Sequence, residues 1–195
     1  MARKKVITKD ILLDYGLQYL QAYGFDSFTA RDVAKKFGIS TQPIYSEYRN
    51  MSEYRREVLK HAFYYMFDIK LNETYAADPL ISFPIAFVRF SEENPNLYHA
   101  LFIKGFAYKK VMYDYSLAQY KKLVATAANY QYLTEQQVEN LHLRTWIAVN
   151  GMAASSISEI CHFDEDYLKF IFKQVISHML EDPNVSPNRP CNHSK

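Results

Sequence analysis

The chain has 195 residues, 49% hydrophobic and 23% charged, with a formal net charge of +2 at pH 7, and these proportions are typical of a globular protein of one or two domains. Its 5 glycines are too few for a β-rich fold with many tight turns, and no apolar run approaches the roughly 18 residues that a membrane helix needs. We therefore expect a cytoplasmic protein without membrane contact.

The first predicted element is an amphipathic helix between Thr8 and Gly24. Thr8 can accept a hydrogen bond from an amide of the first turn, and Gly24 can end the helix with a left-handed backbone. The apolar residues between them recur at spacings of three and four, which is the pattern of one buried helical face. They are Ile11, Leu12, Tyr15, Tyr19, Leu20 and Tyr23.

Two short helices with a glycine turn between them follow. Thr29 and Ser40 are their predicted N-caps, and Gly38 makes the turn because it tolerates a positive φ. The side chains on these helices include Val33, Ala34 and Phe37 in the first and Ile44, Tyr45 and Tyr48 in the second. This arrangement is a helix-turn-helix, whose second helix enters the major groove of DNA. Ser52 then caps a long helix that reaches about residue 74.

Five further helices are predicted in the rest of the chain. They cover residues 80–93, a stretch that begins at Asn94-Pro95-Asn96, and residues 111–130, 134–161 and 164–180, with Thr134 and Asp164 as caps of the last two. The prediction is an all-α fold of about nine helices. It has an N-terminal three-helix DNA-binding domain at 1–50, a larger ligand-binding and dimerisation domain at 51–182, and a disordered tail at 183–195.

Several N-terminal residues stand at positions typical of one protein family. They are the Gly24-Phe25 pair, the run FTARDVAKKFGIS at 28–40, the Ile44-Tyr45 pair and Tyr48. Over about 45 residues this pattern resembles the DNA-binding domain of the TetR family of bacterial transcriptional regulators. The resemblance implies a homodimeric regulator of a palindromic operator that responds to a small-molecule effector, with repression as the family norm.

The chain departs from the family pattern at the end of the helix-turn-helix. Family members usually carry a His or Tyr there, then an aromatic residue, and then a Lys that begins the fourth helix and contacts phosphate. This chain has Glu47, Tyr48 and Met51 at those positions, so only the aromatic residue is kept. Arg49, Arg55 or Arg56 can supply the missing basic group.

The helix-turn-helix predicts a set of DNA-facing residues. Gln42 can read adenine through N6 and N7, and Thr29 can serve a phosphate as well as cap its helix. Tyr45 has the family role of a phosphate donor, and Pro43 sits in a first turn, where its missing amide matters little. The full predicted set is Thr29, Ser40, Thr41, Gln42, Pro43, Tyr45, Tyr48 and Arg49. For Thr29 and Ser40, capping alone is the alternative.

Charge is unevenly distributed along the chain. Residues 1–60 hold 11 Lys or Arg and 7 Asp or Glu, whereas the remaining 135 residues carry a net charge of −2. A basic N-terminal region fits contact with phosphates, although a solvated surface with chance asymmetry is equally compatible. Arg3, Lys4 and Lys5 form either an arm that contacts DNA or an unstructured tail.

Aromatic residues of the larger domain are candidates for an effector pocket, because pockets between helices are mostly apolar with few polar anchors. Two segments, Phe87 to Phe102 and Trp146 to Met152, are also similar to parts of the family's regulatory domains. The candidates are Tyr64, Phe67, Phe87, Phe90, Tyr98, Phe102, Phe106, Tyr120, Trp146 and Asn150. The alternative for each aromatic residue is an ordinary place in the core.

The resemblance implies a homodimer interface formed by residues 134–161 and 164–180, the last two long helices. Small residues from Gly151 to Ser156 permit close helix approach, and the last helix carries an apolar stripe. The stripe comprises Leu168, Ile171, Phe172, Val175, Ile176 and Met179. The alternative is that this stripe faces only the core of its own subunit.

No catalytic, metal-binding or phosphate-loop motif occurs, and Cys161 and Cys191 lie too far apart in the sequence to suggest a zinc site. We therefore expect neither an enzyme nor a resident cofactor or metal. A second hypothesis is a DNA-binding accessory or architectural factor that acts through a protein partner without a small-molecule effector.

Overall fold

The structure, a computed structural model, describes residues 7–104 and 109–181. This part of the chain is all-α, with nine α-helices and no β-strand, as predicted. The helices are α1 (Lys9–Tyr23), α2 (Ala30–Phe37), α3 (Gln42–Glu47), α4 (Met51–Asp68), α5 (Pro79–Glu93), α6 (Pro95–Tyr98), α7 (Lys109–Thr126), α8 (Glu135–Ile157) and α9 (Glu165–Glu181). The predicted arm at Arg3, Lys4 and Lys5, the pocket candidate Phe106 and the tail at 183–195 lie outside the described residues.

The chain divides into two compact units, each built from two segments of sequence. Among the described residues, the first unit comprises 7–69, 93–104 and 109–110, and the second comprises 70–92 and 111–181. Helix α4 stays with the first unit because it packs along α1, where the buried Tyr54 hydroxyl donates to the Leu12 carbonyl over 2.6 Å. The functional division at residue 50 stays a prediction.

Side chains predicted as N-caps begin four of the helices. Thr8, Thr29, Thr134 and Asp164 each accept a hydrogen bond from the backbone amide three residues further on, over 2.7 to 3.4 Å. At α8 the Gln137 side chain also accepts from the Thr134 amide, which completes a capping box. These four predictions are confirmed because each cap satisfies an amide that the helix itself leaves without a partner.

Two predicted caps are wrong. Helix α3 begins at Gln42 rather than directly after Ser40, and its N-cap Thr41 has φ −75° and ψ −13°, an already helical backbone without a side-chain cap bond. Helix α4 is capped by Asn50 rather than Ser52, since the Asn50 side chain accepts from the Glu53 amide over 2.9 Å. Asn50 stands directly before the first helical residue, where asparagine is among the strongest caps.

Three helices end earlier than predicted, at Asp68, Thr126 and Ile157. After α4 and α7 the chain tightens into short 3-10 turns, which continue a helical spacing of side chains without α-helical bonds. After α8, Glu159 adopts φ +57°, and the amides of Glu159 and Ile160 return to carbonyls of the last turn over 3.0 Å. This Schellman motif stops α8 without a glycine.

The core of the first unit contains aromatic rings that join its helices. Tyr15 of α1 stacks on Phe37 of α2 with ring centres 4.0 Å apart. Tyr54 of α4 contacts Phe28, which precedes α2, at 5.5 Å and Tyr48, which follows α3, at 4.9 Å. Because large rings make extensive core contacts, these pairs fix both ends of α2 and the C-terminal end of α3 to the two longer helices.

Gly16 lies where α1 meets α4, and this contact has little spare space. A Cβ there would stand 2.4 and 2.8 Å from the two methyl carbons of Val58 and 3.1 Å from the Tyr54 hydroxyl. We expect Gly16→Ala to lower the free energy of unfolding by about 1–2 kcal/mol, because the cost of overpacking exceeds the gain in helix propensity. Urea denaturation measures this change.

A second substitution tests the cause of that loss. Val58→Ala removes the two methyl groups that a new Cβ would meet, so the double variant should be more stable than the sum of the two single effects predicts. A Gly16→Ala protein as stable as the unchanged chain, or strictly additive effects, would contradict a close contact at this position.

The second unit packs around residues from α5, α7, α8 and α9, together with Tyr130 from the 3-10 turn. Buried members of this core are Leu80, Tyr120, Val124, Tyr130, Val138, Leu141 and Ile176. The apolar stripe predicted on α9 faces this unit's own interior at Leu168, Phe172 and Ile176, which are at most 3% exposed. For these three residues the alternative left open by the sequence is therefore correct.

Candidate nucleic-acid interface

Helices α2 and α3 enclose a turn of four residues, 38–41. Gly38 has φ +63° and ψ +34°, the left-handed conformation predicted for it, and its amide bonds back to the last turn of α2. A Cβ at Gly38 would meet nothing within 4 Å. Glycine is therefore suited to this position by its backbone angle and not by lack of space.

Helix α3 has one buried and one exposed face. Ile44 is fully buried, in agreement with its prediction as a core residue, whereas Gln42, Tyr45 and Ser46 are exposed. The Tyr45 side chain is 54% exposed, so its ring and hydroxyl are accessible to a partner. Pro43 lies in the first turn of α3, as predicted, where its missing amide is tolerated.

The remaining predicted residues surround α3. Ser40, which precedes α3, and Arg49, which follows it, are both exposed. Thr41 is half-buried in the turn. Because Ser40 is not the N-cap of α3, its hydroxyl is not used to satisfy an amide at the start of that helix. The structure thus brings Ser40, Gln42, Tyr45 and Arg49 to the surface of one short segment.

Tyr48 is predicted to face DNA, but the structure buries its side chain. Its side chain is only 2% exposed and packs on Tyr54, so it is a core residue and is not available to DNA. Burial, followed by the charges of Glu57, Glu47 and nearby carboxylates, raises the pKa of its hydroxyl to about 12. These carboxylates also make the end of α3 less attractive to a phosphate.

The hydroxyl of Thr29 is engaged at the start of α2. It accepts from the Asp32 amide over 3.2 Å and donates to the Asp32 carboxylate. A carboxylate beside the hydroxyl repels a phosphate, so the capping role is the better supported of the two that the sequence left open for Thr29.

Three arginines were predicted as substitutes for the family's lysine, and the structure separates their roles. Arg55 donates to the Phe28 carbonyl through two nitrogens, at 2.7 and 3.1 Å, and thereby fixes the entrance to α2. Arg56 forms ion pairs with Glu53 at 3.7 Å and Glu57 at 3.1 Å. Arg49 is exposed at the end of α3, where its backbone amide donates to the Glu53 carboxylate over 2.8 Å. Of the three arginines, Arg49 is therefore the best placed to contact a phosphate.

The candidates for an effector pocket are divided between the two units. Tyr64, Phe67, Tyr98 and Phe102 belong to the first unit, whereas Phe87, Phe90, Tyr120, Trp146 and Asn150 belong to the second. Phe67, Phe87, Phe90, Tyr98 and Tyr120 are all at most 5% exposed, whereas Tyr64 is 36% exposed. In the second unit, Phe87 and Trp146 are in ring contact at 6.1 Å, and the Asn150 amide donates to the Trp146 carbonyl over 2.8 Å.

Sequence reasoning selected Tyr120 as a pocket candidate but missed the buried polar group between α7 and α8 to which it belongs. Ser116, Tyr120, His142 and Thr145 are each at most 2% exposed, and we call them the His142 cluster. The Ser116 hydroxyl and His142 Nε2 are 2.9 Å apart. A buried polar atom without a partner costs about 1–3 kcal/mol. The signal in the sequence was polar side chains at 142 and 145 on a helical face that also carries Val138, Leu141 and Val149.

No protein-family model matches the chain, and a search of curated proteins finds no match either. Within residues 7–104 and 109–181, no helix is both long and apolar enough to cross a bilayer. In the same ranges, no three His, Cys, Asp or Glu side chains are grouped as a metal ion would require.

Proposed function

We propose that the protein is a sequence-specific DNA-binding transcription regulator of the TetR type. In this proposal it acts as a homodimeric repressor that a small, largely apolar or aromatic ligand releases from a palindromic operator. The observation that carries the proposal is the segment α2–turn–α3, with the left-handed Gly38 in the turn and Gln42 and Tyr45 exposed on α3.

The packing of this segment supports a role in reading DNA. Ile44 and Tyr48 fix α3 to the core, while the opposite face meets solvent with an amide, a phenol and a hydroxyl group. A glutamine amide can donate to and accept from the major-groove edge of adenine, and a tyrosine hydroxyl can donate to a phosphate. The basic residues Arg31 and Lys35 are exposed on α2 and favour the approach of a polyanion.

Exposed apolar residues on α8 and α9 support a homodimer. Ile147 is 63% exposed, and Gly151 and Ala154 continue the same face of α8 with small side chains that permit close helix packing. On α9, Tyr167 and Phe170 are 46% and 58% exposed. Exposed apolar residues on neighbouring elements are typical of an interface, and a two-fold axis through α8 and α9 would match a palindromic operator.

Selection from random duplex DNA tests the proposed function. We expect enrichment of a palindrome with half-sites about 34 Å apart, the spacing that a dimer imposes on one face of B-DNA. Affinity for the selected site should fall steeply with salt, because phosphate contacts release counterions. Absence of enrichment, or binding that does not distinguish the selected site from scrambled DNA, would overturn the proposal.

The dimer makes a separate prediction. We expect Ile147→Glu or Phe170→Glu to weaken dimerisation at least thirtyfold, because each buries an unpaired charge in an apolar interface at a cost of about 2 kcal/mol or more. Sedimentation velocity over a dilution series measures the change. Tyr132→Glu is the matched control, since Tyr132 is 68% exposed but lies before α8. Equal behaviour of all three variants would rule out this interface.

A further inference from the structure

The His142 cluster contains more polar atoms than the protein satisfies. Among residues 7–104 and 109–181, the structure gives no hydrogen-bond partner to His142 Nδ1, the Tyr120 hydroxyl or the Thr145 hydroxyl, although each is buried. Burial raises the pKa of the Tyr120 hydroxyl and the neighbouring Thr145 hydroxyl lowers it, but the two hydroxyls do not meet the geometry of a hydrogen bond. Buried polar atoms are nearly always paired. Three such atoms close together therefore indicate that their hydrogen-bond partners come from a molecule outside the chain.

The cluster is electrically neutral. Burial, and next the charge of Lys121, lowers the pKa of His142 to about 4, so the imidazole is uncharged at neutral pH. The Lys121 ammonium is itself engaged at the surface by Glu135 at 2.6 Å and Glu139 at 2.9 Å. A charged ligand would therefore find no opposite charge at the cluster, whereas a neutral one would bring no uncompensated charge into the interior.

Aromatic rings surround the imidazole of His142. The ring centres of Tyr113, Tyr120 and Trp146 lie 4.9, 5.3 and 5.8 Å from it. Tyr113 and Trp146 are also in edge contact at 5.9 Å. Flat rings of this kind favour flat, apolar partners, while the hydroxyls and the imidazole offer both donors and acceptors.

We propose that the His142 cluster binds a small neutral aromatic molecule that carries a hydroxyl or carbonyl group. The Tyr120 and Thr145 hydroxyls bond that oxygen, His142 Nδ1 donates or accepts according to its tautomer, and the rings of Tyr113 and Trp146 contact the aromatic part. Ser116 holds the other imidazole nitrogen and so fixes the orientation of His142. The ligand's role as an effector rests on the proposed function, whereas the binding itself does not.

The test uses the full chain with histidine labelled by ¹⁵N, and phenol and benzamide as probes. We expect a saturable shift of the His142 ring signals with either probe and none with toluene, which has a similar size but no polar group. The His142→Gln variant identifies those signals. Equal responses to phenol and toluene, or no response of His142 to either polar probe, would overturn the proposal.

Two near-isosteric variants separate a binding site from a structural network. Tyr120→Phe and Thr145→Val each remove a buried hydroxyl without a partner, so each should raise the Tm of the unliganded protein by about 3 °C and abolish the response to phenol. Tyr130→Phe is the matched control, because its hydroxyl bonds to Asp78. It should lower the Tm and keep the response. A fall in Tm for Tyr120→Phe and Thr145→Val would mean that structural partners or bound waters already satisfy these hydroxyls, and would also overturn the proposal.

The same titration with the double variant Gln42→Ala/Tyr45→Ala keeps the two proposals apart. If the site exists, phenol shifts the His142 signals in this variant as in the unchanged chain, whatever happens to DNA binding. Loss of the probe response only in the variants of Tyr120 and Thr145 supports the site. An unchanged response in both of those variants overturns the site and leaves the proposed function standing.

Discussion

Replacing Gln42 and Tyr45 together by alanine is expected to abolish sequence-specific DNA binding while leaving the fold intact. Both side chains are exposed on α3 and contribute nothing to the core that Ile44 and Tyr48 form. A bidentate base contact contributes about 1–3 kcal/mol to discrimination, and a hydrogen bond to a charged phosphate about 1.5–3 kcal/mol. The double variant should therefore bind the selected site roughly a hundredfold or more less tightly.

The two single variants should differ in kind. Gln42→Ala should reduce the preference for the selected base at one position, with little change in binding to scrambled DNA. Tyr45→Ala should weaken binding to all sequences, since a phosphate contact carries no base information. Fluorescence anisotropy with matched, single-mismatch and scrambled duplexes measures both effects. Tyr132→Ala, another exposed tyrosine, serves as control. If both single variants bind all duplexes as the unchanged chain does, α3 does not read DNA.

Acid is expected to destabilise the protein through His142. Burial lowers the pKa of this imidazole from 6.5 to about 4, so the unfolded chain takes up a proton at a higher pH than the folded chain. Above about pH 6.5 the free energy of unfolding is not reduced by His142. It falls as the pH decreases from about 6.5 toward 4, and His142 changes it no further below that value. The loss amounts to about 3 kcal/mol in the free energy of unfolding.

Urea denaturation at several values between pH 7 and pH 4.5 measures this loss. Carboxylates also titrate in acid, so the informative quantity is the difference between the unchanged chain and His142→Gln, whose stability should depend less on pH across the window. His162→Asn is the matched control because His162 is another histidine, exposed in the segment before α9. Identical pH dependence for the unchanged chain and His142→Gln would show that the imidazole is not buried in neutral form.

Sequence patterns predicted the helices and several of their ends correctly where a local rule decides. Thr8, Thr29, Thr134 and Asp164 are caps because the bonds they make span only three residues, and Gly38 is left-handed because the turn needs that angle. Such features depend on neighbours in sequence, so they can be read from sequence alone.

Features that depend on distant residues were not predictable in the same way. Tyr48 belongs to the predicted DNA-facing set, but its partner in the core, Tyr54, is on α4, which the local pattern around α3 does not reveal. The His142 cluster joins α7 to α8. The polar side chains on the apolar face of α8 indicate a buried polar group, but they do not show which residues of α7 they meet. For α9, periodicity located the apolar face without showing whether it meets its own subunit or another one.

The two faces of α3 have a consequence for how this protein can change over generations. Residues that fix the helix, Ile44 and Tyr48, are distinct from those that meet solvent, Gln42, Tyr45 and Ser46. Most surface substitutions alter stability by less than about 0.5 kcal/mol. If the exposed face reads DNA, mutations there can therefore redirect the protein to a new operator without compensating changes in the core, so target preference can diverge quickly while the scaffold stays constant.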